Sequence, residues 1–307
     1  MFLIISNQLL KMFLMLIVGF LCIKLGILDH NGTKGFSNFL LMIVNPLLMV
    51  NALQTDYSPE LNTGILFASL LALITHILGI VLAHLLIHSK EESQAAIEKF
   101  GCVYSNCGFM GIPLAQSMFG STGVIYITMY SLVFAVFAWT HGLILMTGNT
   151  SWKQLRKGLT SPAVIGTVLG IIFYFIQFRL PGALGASVDY IASMNTPMAM
   201  IVAGAALAES DILQALKQTG VYKVAFIKLI LLPALILAVI AVLPIPKEPA
   251  TVILTAAACP VATTGTLFAL RYNKNYEYSS AIFSLTTILS LVTIPMIILA
   301  GESLKII

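Results

Sequence analysis

Apolar residues run along the chain in blocks of about twenty, the length a helix needs to cross a bilayer core. Short polar stretches separate the blocks. Ten spans are predicted, at 7–28, 35–54, 62–87, 100–119, 122–147, 160–179, 185–208, 219–243, 249–270 and 277–301. Asn31-Gly32 and Pro244-Ile245-Pro246 are turn signals between them. No long polar segment is left over for a soluble domain. The pattern predicts an all-α membrane protein of about ten transmembrane helices, with the lipid bilayer as its surroundings.

Two spans contain residues that an unbroken helix avoids. The fourth carries Asn106-Cys107-Gly108-Phe109-Met110-Gly111-Ile112-Pro113, and the ninth carries Cys259-Pro260-Val261-Ala262-Thr263-Thr264. Hydrocarbon offers no water to free backbone groups, so a broken span is tolerated only where it is buried in protein or lines a cavity. In transporters such breaks commonly form the substrate site. Asn45-Pro46 in the second span and Thr196-Pro197 in the seventh extend the parallel. Pro46 and Pro113 are 67 residues apart, and Pro197 and Pro260 are 63 apart. With five spans in each half, 1–150 and 151–307, the second half enters the membrane from the opposite side. That predicts two inverted five-helix repeats.

Composition and charge narrow the class. The chain has 307 residues, 59% of them hydrophobic and only 9% charged, against about 25% charged in soluble domains. Its net charge of +4 is scattered over loops, and no basic run points to nucleic acid. Alternate loops hold eleven of the sixteen basic residues, among them Lys24, Lys34, Lys90, Arg271 and the stretch Trp152–Lys157. Basic loops stay cytoplasmic, so both termini are expected outside, in a multi-pass protein of the plasma membrane. The first span has no charged leader region or Ala-x-Ala site, and reads as a retained span. Cys22, Cys102, Cys107 and Cys259 all fall in apolar segments without CxxC spacing, and read as small buried side chains. There is no HExxH, GxSxG or Walker A motif and no paired acids in the spans. This argues against an enzyme and against ATP-driven transport, and no cofactor or metal is called for.

The candidate site gathers at the breaks. Asn106 can donate from its amide and accept at its oxygen; it reads either as a ligand contact or as glue between helices. Gly108 and Gly111 permit close approach of a ligand or a crossing helix. Pro113 and Pro260 free backbone groups, and the half-helix after a break presents unpaired N–H groups and a partial positive end, which suits a carboxylate. Thr263 and Thr264 hold the mirrored position. Asn45 and Thr196 precede their prolines and either satisfy a freed backbone group or face the cavity. Pro113 and Pro260 are expected to meet at mid-membrane. Neither broken span has a basic residue near its break, so the anion is expected to be held by helix ends and amides rather than by a buried Lys or Arg. His76, His84, His141 and, near a helix end, Glu209 are the candidate ionisable groups for an ion path. Lys228 also lies within a span, and no carboxylate cluster suggests a sodium or proton relay.

Ser105–Leu114, followed by Met118-Phe119-Gly120, resembles the fourth-span signature of the auxin efflux carrier family. That family includes bacterial carriers associated with malate or malonate and the plant auxin exporters. Lys24-Leu25-Gly26-Ile27-Leu28, Pro197-Met198-Ala199-Met200, Cys259-Pro260-Val261-Ala262 and Ile294-Pro295 are similar to further family segments. The resemblance implies a fold shared with bile-acid symporters and sodium/proton antiporters, in which two broken helices cross. It implies a scaffold domain and a transport domain, each drawn from both repeats, moving like an elevator. It also implies an organic anion beside the crossing, with Asn106 at the family's substrate-contacting asparagine, and a homodimer through the scaffold. The Asp and Lys pair of the plant members is missing from Tyr57–Asn62, so a small mono- or dicarboxylate is the expected substrate rather than auxin. A channel or a non-transporting receptor on the same fold are the alternatives.

Overall fold

The computed structural model describes residues 2–89, 91–148, 156, 160–209 and 217–307. Most of the Trp152–Lys157 loop, on which the orientation argument leans, lies outside the described residues. The described residues form helices α1 (Phe2–Lys24), α2 (His30–Ala52), α3 (Pro59–Leu86), α4 (Glu92–Val103), α5 (Cys107–Thr147), α6 (Pro162–Phe175), α7 (Gly182–Glu209), α8 (Thr219–Val242), α9 (Lys247–Ala258), α10 (Thr263–Arg271) and α11 (Tyr276–Ser303). They contain no β-strand, only one isolated bridge.

Seven of these helices, α1, α2, α3, α5, α7, α8 and α11, are long and apolar enough to cross a membrane. Their exposed faces carry bare hydrocarbon, including Leu66, Leu85, Phe226 and Val292, which lipid would cover. The ten expected spans map differently. The ninth is two short helices, α9 and α10, meeting at a break; the fourth joins the short α4 to the start of α5 across another; and the sixth is the 14-residue α6. Helix α5 is 41 residues long, about 60 Å at 1.5 Å per residue and twice the hydrocarbon thickness. It is bent sharply at Phe119–Gly120, where Gly120 has φ +56°.

Helix starts follow local chemistry. Asp29 Oδ1 accepts from Gly32 N at 2.7 Å to cap α2, Ser58 Oγ accepts from Leu61 N at 3.2 Å to cap α3, and Asn275 Oδ1 accepts from Tyr278 N at 2.9 Å to cap α11.

The helices pack in two sets. In the first, α1 crosses the second half of α7, and α2 packs on α6 and on the first half of α7. Glycine allows the closest approach: a Cβ on Gly204 would lie 1.9 Å from Leu16 O, and one on Gly166 2.7 Å from Pro46 O. In the second set, α3, α4, α5, α8, α10 and α11 enclose a core rich in aromatic rings, and α9 packs against α3, α5, α8 and α11. His76 belongs to that core. Its Nδ1 lies 2.8 Å from Ala72 O, and its ring packs on Tyr130 and Phe137. Three of the cysteines are buried and free, and Cys22 is half-buried.

Candidate functional site

The first break comprises Tyr104, Ser105 and Asn106. Tyr104 is extended (φ −95°, ψ 116°), Asn106 has φ −75° and ψ 58°, and helix resumes at Cys107. The second break runs from Cys259 (φ −60°, ψ 149°) to Ala262 (φ −68°, ψ 136°), before α10 starts at Thr263. The two unwound stretches pair antiparallel, with Ser105 opposite Val261. Asn106 N donates to Pro260 O at 2.7 Å, and Ala262 N donates to Tyr104 O at 2.9 Å. Val261 N donates to Thr286 Oγ1 of α11 at 3.2 Å. Groups that hydrocarbon would strand are thus satisfied by the other break.

The crossing lies beside Pro260, as expected, but eight residues before Pro113. Pro113 does not break its helix. It follows a π-turn, Cys107–Gly111, and the chain continues helical through it. A proline removes one N–H and crowds the carbonyl one turn back, and one widened turn accommodates both. Pro46 after Leu40–Val44 and Pro233 after Ile227–Leu231 repeat the device, so Asn45-Pro46 leaves α2 continuous as well. In α7 the interruption falls at Met194, between Ser193 and Asn195.

Asn106 Oδ1 accepts from Phe109 N at 3.4 Å and caps the half-helix that follows. Its Nδ2 is buried with no hydrogen-bond partner among the described residues. A Cβ on Gly108 would lie 3.7 Å from Asn45 Nδ2, so Asn45 sits against the start of this half-helix. Asn45 Oδ1 accepts from Asn195 Nδ2, and Asn195 Oδ1 has no partner among the described residues. The buried polar group on α7 is therefore Asn195, and Thr196 beside it is half-buried. Gly111 serves packing: a Cβ there would come within 3.0 Å of Ile127 Cδ1.

A cavity of about 160 Å³ opens next to the crossing. Phe109 and Thr263, from the starts of the two half-helices, line its inner part, with Ser280 and Phe283 of α11. Toward the loops it is lined by His30, Lys34, Glu209 and Tyr276, with His30 Nδ1 3.1 Å from Glu209 Oε2. Of the nine residues expected from sequence, Thr263 stands in the wall; Thr264 beside it in sequence is half-buried.

One residue at the crossing was not anticipated. Lys228 of α8 is fully buried, and its Nζ donates to Ser105 Oγ at 2.5 Å and to Ala257 O at 2.9 Å. Ser105 Oγ also shares a hydrogen bond with Tyr130 OH at 2.9 Å. This corrects the expectation of a crossing without a basic side chain. That expectation considered only the two broken spans, whereas Lys228 reaches the crossing from a third. The available signal was a lone ionisable residue inside an apolar span, which by default marks function.

The family described as membrane transport protein matches residues 4–151 and 146–298. A protein of Rhizobium meliloti named "Putative malonate transporter" is 24% identical over 309 residues, covering 94% of this chain and 93% of its own length. An uncharacterized transporter of Methanothermobacter thermautotrophicus is 21% identical over 300 residues, covering 95% and 96%. The uncharacterized transporter YfdV of Escherichia coli is 24% identical over 218 residues, covering 67% and 68%.

Proposed function

The chain belongs to the membrane transport protein family that includes the auxin efflux carriers, and on that premise we propose that it is a secondary transporter of a small mono- or dicarboxylate, such as malonate or malate, across the plasma membrane. The observation that carries this reading is the pairing of the two breaks, Asn106 N to Pro260 O and Ala262 N to Tyr104 O. Two half-helices, one from Cys107 and one from Thr263, begin at this pairing. Each presents amides and a partial charge of about +0.5 to whatever lies before it. The carboxylate sits between the free Nδ2 of Asn106 and the start of α10, and reaches them through the cavity that Thr263 and Phe109 line. The relative's name supports malonate as the first substrate to try.

The transporter has ten spans in two inverted repeats, 1–150 and 151–307. The sharp bend at Gly120 supports dividing α5 into two spans, and the antiparallel bridge between the breaks supports opposite entry of the two halves. Helices α1, α2, α6 and α7 form a scaffold through which two copies associate. The remaining helices carry the crossing and move past it. The cavity's outer rim shares its end of the bundle with Lys24, Lys34 and Arg271, so in this state the site faces the cytoplasm, and both termini lie outside.

Uptake of labelled malonate and malate by proteoliposomes tests the reading. Saturable uptake, competed by unlabelled carboxylate and accelerated by carboxylate inside, is expected. Absence of uptake for all small mono- and dicarboxylates sinks the substrate class, and non-saturating conductance favours a channel.

A further inference from the structure

We propose that the Lys228 ammonium is a tethered coupling cation: it holds, at the crossing, the position that a free monovalent cation occupies in carriers built on broken helices, and it makes transport independent of sodium. In such carriers unwound carbonyls and the C-terminal ends of half-helices coordinate the ion. The same elements surround Nζ here. In an unbroken helix Ala257 O would accept from Val261 N, but that N–H is turned to Thr286 Oγ1 and Ala257 O is left over. Lys228 takes it at 2.9 Å, and takes the hydroxyl of Ser105, within the other break, at 2.5 Å. Helices α4 and α9 end at Val103 and Ala258, next to the two residues that Nζ bonds, Ser105 and Ala257, so the ammonium lies beside two partial negative helix ends.

The other titratable side chains near Nζ are the thiols of Cys102, Cys107 and Cys259, the phenol of Tyr130 and the imidazole of His76. No carboxylate bonds to Lys228 among the described residues. A buried charge without an ionic partner is costly, and persists only where dipoles and hydrogen bonds replace water. The Ala257 carbonyl and the Ser105 hydroxyl, beside two helix ends, make such a place.

The crossing is therefore polarised. Its carbonyl side holds the ammonium, and the half-helices on its amide side reach the anion cavity through Phe109 and Thr263. On the transport reading above, on which this consequence rests, a carboxylate crosses with one of its charges balanced by the protein and without an ion taken from solution.

The test is thermal unfolding of the purified full chain in choline, sodium, potassium or methylammonium chloride at matched ionic strength. Wild-type protein is expected to unfold at one temperature in all four. Lys228→Ala leaves an ammonium-sized space beside Ser105 Oγ and Ala257 O. It is expected to be weakened in choline and raised by about 4 °C in sodium or methylammonium, the scale for a ligand well above its Kd. Lys228→Met fills the space without charge and should respond to none of them. In proteoliposomes, uptake by Lys228→Ala should become sodium-dependent while wild type stays indifferent. A sodium response of the wild type overturns the proposal, as does a response of Lys228→Met or equal behaviour of Lys228→Ala in all four salts, including unfolding in every one. The unfolding measurements need no substrate, so a wrong substrate class leaves them decisive.

Discussion

The two breaks that pair at the crossing stabilise their half-helices differently. At the first, Asn106 caps the following helix with its own side chain, and the proline lies downstream in a π-turn. At the second, Pro260 lies inside the break, and Ala262 offers no side chain to the first amides of α10. One end is closed by an internal ligand, and the other is left bare beside the cavity that Thr263 lines. For an anion site this division makes sense. A bare helix start binds a carboxylate through its amides, while a capped one holds the geometry fixed and lends a spare donor, Asn106 Nδ2.

Asn106→Ala attacks both roles at the first break and should have the largest effect. Losing a hydrogen bond to a charged ligand costs about 1.5–3 kcal/mol, roughly 10- to 100-fold in affinity. Losing the cap costs a further ~1 kcal/mol of stability. Malonate uptake and thermal unfolding measured together check this. Wild-type uptake by the variant would reassign Asn106 to packing.

Pro260→Ala comes next. With an N–H restored at 260, α9 can continue toward Val261, and the partner of Asn106 N is displaced. A several-fold drop in uptake is expected, with a stability loss of about 1 kcal/mol from the freer unfolded chain and the disturbed pairing. Unchanged uptake would mean that the pairing, rather than the proline, maintains the break.

These effects bear on what the sequence made legible. The break at Pro260 could be read directly, because the proline sits where the helix stops. The break at Asn106 was placed in the right span but ascribed to Pro113, because a proline's usual effect was assumed where a π-turn absorbs it. Asn45 was found, but on α7 Thr196 was named where its neighbour Asn195 turns inward to Asn45, since helix phase at an interruption is not fixed by sequence spacing. Lys228 was visible as a charge in an apolar span, yet its destination depends on how α8 packs on α4 and α9, which local pattern does not encode. The membrane class and the all-helical fold followed from block length and apolarity alone. The count of spans did not, because broken and bent helices blur the unit being counted.

Ala262→Ser sharpens the contrast, because its two effects have opposite signs. A serine at this position can cap α10 and closes the bare end from within, stabilising the protein by about 0.5–1 kcal/mol. The same hydroxyl competes with the carboxylate for the amides, so malonate affinity should fall about fivefold, near 1 kcal/mol. Higher thermal stability with unchanged affinity would move the anion away from α10.

The smallest effect is expected at Pro113, the residue that looked most important in the sequence. Its helix already runs unbroken from Cys107, and the crossing lies eight residues upstream. Pro113→Ala restores one N–H and lets the π-turn at Cys107–Gly111 tighten toward α geometry. Alanine is the better helix former, but the unfolded chain gains freedom, and the two changes nearly offset within about 1 kcal/mol. Tightening the turn rotates Cys107–Gly111 slightly against Asn45 and Ile127, which lie beside Gly108 and Gly111. Uptake should therefore stay within about twofold of wild type, since 0.4 kcal/mol is about a factor of two. If Pro113→Ala instead abolishes uptake as Asn106→Ala does, the π-turn itself positions the anion, and the site extends one turn further into α5 than the capped end at Asn106 suggests.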